Sequence, residues 1–259
     1  VHSCVNNGPC GQCNEHIIIN NEAFQENRTC TKVCSAQFLG NWQGQITPMT
    51  RLGRYVACAA QFAPKRGSFF FALDAFAGTG LGSTSLLALG LQRRCGGRLV
   101  VFEEMERLAQ IVIEALSKYS AYYVWGEALQ PGVELPLLTI RNCAPQVIII
   151  GGRALGGAGH LEYSPLRTLC RGVDLVMIDT PATSFAAEWA VLEQCEPQFV
   201  FIHNTNLPDH AGWIEARLRL RGYRILAEGA HGGGGHAQEF FKELSTLYET
   251  RTWVALYKK

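Results

Sequence analysis

Short apolar runs alternate with helix-like segments from residue 69 to the end of the chain. The runs 69–73, 99–102 and 199–202 contain no polar residue, which is typical of parallel strands that are buried on both faces. Segments of helical periodicity, such as 83–91 and 105–119, lie between the runs. Because parallel neighbours need a crossover and these crossovers are helical, the pattern predicts an α/β fold with a mostly parallel sheet and helices on both faces.

Composition divides the 259 residues into two parts. Residues 1–46 are rich in Asn, Cys and Gln and predict an irregular, Cys-rich N-terminal extension, whereas 47–259 predict one α/β domain. Thr47-Pro48 is typical of a helix start, and the helix is expected to end before Pro64. A net charge of +1 gives no electrostatic reason to expect a nucleic-acid partner. No run of 18 apolar residues occurs, so no transmembrane segment is predicted.

Half of the ten cysteines lie in the N-terminal extension. They are Cys4, Cys10, Cys13, Cys30 and Cys34. Their spacing suits a zinc site or a set of disulfides, and reduced thiols are the third alternative. Asn27-Arg28-Thr29 is a glycosylation acceptor sequence, which is used only in a secretory compartment. Disulfides also need an oxidising compartment. We therefore favour disulfides over zinc, and the secretory pathway or the extracellular space over the cytoplasm. Most of the other five are predicted to be small buried hydrophobes: Cys58, Cys95, Cys143, Cys170 and Cys195.

A glycine-rich turn joins the first apolar run to the next helix. It reads Asp74-x-x-x-Gly78-x-Gly80-x-Gly82-Ser83. Glycines there let the backbone approach a ligand closely and adopt positive φ. Glu103 ends the next strand, about twenty residues after the last glycine, where a carboxylate can accept hydrogen bonds from ribose hydroxyls. Since ligands bind at the carboxyl ends of such strands, the turn and Glu103 predict a nucleoside site.

The glycine spacing and Asp74 indicate which nucleoside binds. A dinucleotide fingerprint is G-x-G-x-x-G, but this chain has G-x-G-x-G, with Ser83 at the place of the third glycine. A carboxylate four residues before Gly78 would repel a pyrophosphate and attract an ammonium group. S-adenosylmethionine carries an ammonium and no phosphate, so it is the predicted cofactor. A nicotinamide-dependent oxidoreductase and a tight turn without a ligand are the alternatives.

These residues resemble the first two motifs of the class I S-adenosylmethionine-dependent methyltransferases, and the resemblance covers about 48–259. It implies a Rossmann-like, mostly parallel seven-stranded sheet whose last strand is antiparallel. It places Asp74 at the amino-acid end of the cofactor and Glu103 at the ribose. Gly126-Glu127-Ala128 resembles the adenine-side loop, so Glu127 is expected near the adenine. The cofactor loop itself would be shaped by Gly78, Gly80, Gly82 and Ser83.

Two later strand ends resemble those of the small-molecule O-methyltransferases of the catechol type. In those enzymes an Asp after the fourth strand and an Asp-Asn pair after the fifth bind magnesium. Asp179 and Asn204 match the first and last of these positions and are the predicted metal ligands, while His203 stands where the second Asp would be. Magnesium prefers oxygen ligands and imidazole suits transition metals. Whether a divalent metal binds therefore stays open, and His203 is alternatively a general base or a structural histidine.

The predicted function is S-adenosylmethionine-dependent methyl transfer to an oxygen of a small molecule or sugar, with Asp179 and His203 as the catalytic candidates. The alternative is a catalytically inactive methyltransferase-fold module with a binding or structural role in a secretory protein. The Cys-rich start, the glycosylation acceptor and the substituted metal position favour that alternative. Cofactor affinity discriminates between the two, because a purely structural module has no use for a functional Asp74 and Glu103.

Overall fold

The computed structural model describes most of the predicted α/β domain and little of the N-terminal extension. The described residues are 17–18, 29–30, 46–48, 50–67, 70–75, 77, 80–103, 105–117, 119–125, 143–151, 172–179, 185–205, 211–232 and 250–258. Predictions for Gly78, Glu127, Cys4, Cys10, Cys13 and Cys34 fall outside this set. No helix of the described part is long and apolar enough to cross a membrane.

Helices and strands alternate as predicted over residues 51–125 and again over 175–232. The helices are α1 (Arg51–Phe62), α2 (Ser83–Arg93), α3 (Glu106–Ala115), α4 (Phe185–Cys195) and α5 (Ala211–Leu220). The short strands β1 (Ile17–Ile18) and β2 (Thr29–Cys30) pair with each other. The main sheet contains β3 (Phe71–Ala75), β4 (Arg98–Glu103), β5 (Ser120–Trp125), β6 (Gln146–Gly151), β7 (Leu175–Ile178), β8 (Phe199–His203), β9 (Arg224–Gly232) and β10 (Thr250–Tyr257).

The main sheet has the order β5-β6-β4-β3-β7-β8-β10-β9. Six neighbouring strands, from β5 to β8 in that order, are parallel, and β10 runs antiparallel to both β8 and β9. This confirms the predicted Rossmann-like, mostly parallel sheet with an antiparallel last strand. The described sheet has eight strands rather than seven, because β6 inserts between β4 and β5.

The sheet is buried on both faces, as the continuous apolar runs predict. Alternate residues of each strand contribute to two separate cores. One core packs α1, α2 and α3 against the sheet, through residues such as Leu52, Leu86 and Val112. The other packs α4 and α5 against the opposite face, through residues such as Val191 and Leu218. Two-sided helix cover is therefore confirmed.

Helix α1 begins later than Thr47-Pro48 predicts. The N-cap is Thr50, whose Oγ1 accepts a hydrogen bond from the Gly53 N–H at 3.1 Å. Thr47 instead starts a turn, because its carbonyl accepts the Thr50 N–H at 3.0 Å. Both threonines suit an N-cap by residue type, and the one whose hydroxyl reaches the first-turn N–H begins the helix.

Several cysteines outside the N-terminal extension are not the free buried thiols that their apolar surroundings predict. Cys95 and Cys143 form a disulfide, and Cys58 and Cys195 are also disulfide-bonded. The parallel register of β4 and β6 explains the first of these bonds, since Arg98 pairs with Gln146 and each cysteine lies three residues earlier. The bond joins two turns at the amino-terminal edge of the sheet. Cys170 lies outside the described residues.

Candidate functional site

The predicted site residues lie at the carboxyl-terminal edge of the parallel strands. Strand β3 is flanked by β4 on one side and β7 on the other, so the chain leaves β3 in opposite directions to reach its two neighbours. Ligands of open α/β sheets bind outside such a switch point. Asp74 is next to the end of β3, Glu103 ends β4, Asp179 follows β7 and His203 ends β8.

The alternation of side chains places these four residues on one face of the sheet. Each lies two residues beyond a strand residue of the core that packs under α1, α2 and α3. Those core residues are Ala72, Val101, Met177 and Phe201. The carboxylates and the imidazole therefore face the side of the sheet where α2 begins.

Asp74 is fully buried and bonded to the first turn of α2. Its Oδ2 accepts hydrogen bonds from Thr84 Oγ1 at 2.5 Å and from Ser83 Oγ at 3.0 Å. Burial raises the pKa of Asp74 to about 7, and the negative charges of Asp179 and Glu103 act in the same direction, against the two hydroxyls. A carboxyl of that pKa changes its charge near neutral pH and responds to a cation placed beside it.

Helix α2 begins immediately after the glycine turn. Gly80 has φ +70° and Gly82 is the N-cap, with no side chain of its own to bond the first helical turn. A Cβ at Gly80 would lie 3.0 Å from Val112 Cγ2 of α3, so glycine is needed both for the backbone conformation and for the close packing. The N–H of Ala77 donates to the Phe102 carbonyl at 3.0 Å, which holds the turn against the end of β4.

Glu103 is buried at the end of β4, opposite Gly151 of β6. Its Oε1 accepts the Met105 N–H at 2.9 Å, which fixes the carboxylate beside the turn that follows the strand. The strand next to β4 is β6 rather than β5, although β5 follows β4 in the chain. The loop after β5, where Glu127 is predicted to reach the adenine, is outside the described residues.

Asp179, His203 and Asn204 come together across the ends of β7 and β8. Asp179 Oδ1 lies 2.6 Å from His203 Nδ1 and 3.0 Å from Asn204 Nδ2. Asn204 has φ +63°, a conformation that asparagine tolerates better than most residues. His203 is 1% exposed, whereas 28% of the Asp179 side chain is exposed. Asp179 is thus the member of this group that reaches the surface.

Thr84 contacts the candidate site residue Asp74 and is not among the residues that the sequence predicts for the site. Its hydroxyl makes the shorter of the two side-chain bonds to Asp74. The pattern that identifies it is a buried strand-end acid followed, after the glycine turn, by consecutive hydroxyl residues at a helix start. Those residues lie within reach of the acid because the first turn of α2 stands directly over the end of β3.

Comparisons with known proteins were made on sequence and on structure. No protein-family model matches the chain, and no curated protein sequence matches it. An O-methyltransferase from Bacillus cereus in complex with S-adenosylhomocysteine is similar at 16% identity and a TM-score of 0.48, covering 86% of each chain. The precorrin-6y C5,15-methyltransferase of Geobacter metallireducens GS-15 is similar at 14% identity and a TM-score of 0.43, covering 81% of this chain and 90% of its own.

A third similar structure is TrmK of M. capricolum in complex with S-adenosylhomocysteine. It is 12% identical, with a TM-score of 0.43, over 81% of this chain and 68% of the other. The first two are named as methyltransferases. At these identities and TM-scores, the likeness concerns the fold alone.

Proposed function

We propose that this protein binds S-adenosylmethionine at the carboxyl-terminal edge of β3 and β4 and transfers its methyl group to an oxygen of a small molecule or sugar. The observation that carries the proposal is the position of Asp74, a buried carboxylate at the start of the helix that follows the glycine turn. A dinucleotide would need its pyrophosphate at that helix N-terminus.

The charges around the turn favour a cationic ligand. Asp74 interacts electrostatically with Asp179 and Glu103, so three carboxyl groups share one edge of the sheet. They oppose the binding of a phosphate and favour an ammonium or a sulfonium. Among nucleosides with a ribose for Glu103, S-adenosylmethionine carries both of these cations.

Three parts of the chain would hold the cofactor. Gly80 and Gly82 let the backbone approach it, Asp74 adds negative charge at its amino-acid end, and Glu103 accepts its ribose hydroxyls. When bound, S-adenosylmethionine would supply a methyl group carried on a sulfonium. Transfer would break the S–C bond, whose electron pair stays on sulfur, form an O–C bond and release the proton of the substrate hydroxyl. We assign that proton to the carboxylate of Asp179, whose exposure would let the proton pass to solvent.

Calorimetric titration of S-adenosylhomocysteine into Glu103→Gln tests the proposal. Glutamine keeps the oxygen that accepts the Met105 N–H but loses the charge, and hydrogen bonds to charged groups contribute about 1.5–3 kcal/mol. We expect the dissociation constant to rise at least about tenfold. Glu106→Gln, an exposed position of α3, is the matched control and should bind as the native chain does. Equal affinity of all three proteins would contradict the proposed ribose contact.

We also propose that the protein belongs to the secretory pathway or the extracellular space. The disulfide Cys95–Cys143 and the disulfide-bonded Cys58 and Cys195 support an oxidising compartment. Mass spectrometry of the protein from its native source, alkylated before reduction, should find these four cysteines protected. Free, alkylated thiols at these positions would contradict the assignment.

A further inference from the structure

The group formed by Asp179, His203 and Asn204 directs two hydrogen-bond donors at one carboxylate oxygen. An ionised carboxylate only accepts hydrogen bonds, so we assign the hydrogen of the 2.6 Å contact to His203 Nδ1, which donates to Asp179 Oδ1. An amide nitrogen at 3.0 Å from the same oxygen is also a donor. Both neighbours therefore direct N–H groups at the same oxygen, and the second ring nitrogen of His203, Nε2, belongs to a side chain that is buried in the fold.

Magnesium does not fit this donor set. It requires near-octahedral oxygen ligation, and this group offers it only oxygens of Asp179 and the amide oxygen of Asn204, with an imidazole in place of a further carboxylate. The described residues contain no group of three or more His, Cys, Asp or Glu side chains that could hold a metal. His203 is also 1% exposed and lies opposite Trp253 of β10, so its ring is held within the fold.

We propose that His203 is a positioning residue and that the site works without a divalent cation. His203 and Asn204 together fix Asp179 Oδ1, and they orient the exposed part of the carboxylate toward the edge of the sheet where Asp74 and Glu103 lie. This inference rests on the proposed methyl transfer. It replaces metal activation of the substrate with direct contact between a substrate hydroxyl and Asp179.

The proposed step is balanced without a further reactant. The substrate hydroxyl gives its proton to the Asp179 carboxylate as its oxygen forms a bond to the transferred methyl carbon. The bond between that carbon and the sulfonium sulfur of S-adenosylmethionine breaks, and its electron pair stays on sulfur. The proton then leaves Asp179 for solvent, which restores the carboxylate.

Magnesium titration tests the inference directly. In the native chain, saturated with S-adenosylhomocysteine, we expect no saturable heat with millimolar MgCl₂ and no effect of MgCl₂ or EDTA on the melting temperature. His203→Asp replaces a donor with a second carboxylate and should gain a saturable magnesium isotherm. His203→Asn removes the imidazole without adding a charge and is the matched control, which should not bind magnesium. One-to-one magnesium binding by the native chain that Asp179→Asn abolishes would overturn the proposal.

A spectroscopic measurement on the native protein covers the case in which a His203 variant does not fold. With ¹⁵N-labelled histidine, we expect an N–H proton on Nδ1 of His203, shifted downfield by its carboxylate partner and moved upfield in Asp179→Asn. A ring protonated at Nε2 alone would overturn the proposal. Titration of the native protein with S-adenosylhomocysteine separates the proposed function from the metal-free site. Absence of S-adenosylhomocysteine binding would refute the proposed function. Binding of both S-adenosylhomocysteine and magnesium would refute only the metal-free site.

Discussion

The buried Asp74 makes the stability of the protein depend on pH in a predictable way. Its pKa is about 7 in the folded protein against an ordinary value of 3.8, chiefly because burial disfavours the charged form. At about 1.4 kcal/mol per pKa unit, that difference corresponds to about 4 kcal/mol. Because the folded pKa lies above the unfolded one, the folded state binds more protons between about pH 4 and pH 7. The free energy of unfolding should therefore fall by up to that amount as pH rises through this interval.

Asp74→Asn removes the titration and keeps the size of the side chain. The asparagine oxygen still accepts a hydroxyl hydrogen bond from Thr84 or Ser83. At pH 4 the variant should be as stable as the native chain or slightly less so. The free energy of unfolding of the variant minus that of the native chain should rise by about 4 kcal/mol between pH 4 and pH 8. The reason is that only the native chain must bury a charge at the higher pH.

Urea denaturation of both proteins at several pH values, with the disulfides intact and the ionic strength fixed, measures this difference. Comparing two proteins at each pH cancels the contributions of groups that titrate alike in both. A difference that stays constant within about 1 kcal/mol from pH 4 to pH 8 would refute the assigned burial and pKa of Asp74.

Three further substitutions have predictable effects on the free energy of unfolding. Gly80→Ala should lower the free energy of unfolding by about 1–3 kcal/mol, because alanine is strained at φ +70° and its Cβ would meet Val112. Urea denaturation that finds no loss would contradict the described turn. Replacing Cys95 and Cys143 together by alanine should lower the free energy of unfolding by about 4 kcal/mol, because the bond no longer restricts a loop of 48 residues in the unfolded chain. An unchanged melting curve would exclude the bond. Asp174→Ala should lower the free energy of unfolding by about 3 kcal/mol, because two backbone N–H groups lose their acceptor. The affinity for S-adenosylhomocysteine should stay intact, because Asp174 precedes β7 at the opposite edge of the sheet. A calorimetric loss of that affinity would contradict this placement.

The fold was largely predictable because buried parallel strands are continuous apolar runs. Three of the six parallel strands, β3, β4 and β8, correspond to the apolar runs 69–73, 99–102 and 199–202. The run 147–150 is equally apolar, but its place between β4 and β5 depends on a pairing that no local pattern encodes. The Cys95–Cys143 bond was missed for the same reason, since it follows from that register.

The grouping of the candidate site residues was predictable where strand ends determine it. Asp74, Glu103, Asp179 and His203 lie at one edge of the sheet because parallel strands end together, and alternation places them on one face. Their partners were not predictable, because a hydrogen bond such as that between Thr84 and Asp74 depends on how α2 sits over β3. The role of His203 depends in the same way on the 2.6 Å contact with Asp179.

Titration of the native protein with S-adenosylhomocysteine, beside the same titration with NAD, tests the cofactor assignment most directly. The carboxylates around Asp74 and the turn at Gly80 predict one-to-one binding of S-adenosylhomocysteine at micromolar strength and no measurable heat with NAD. Binding of NAD alone, or of neither ligand to a demonstrably folded sample near millimolar concentration, would contradict the assignment.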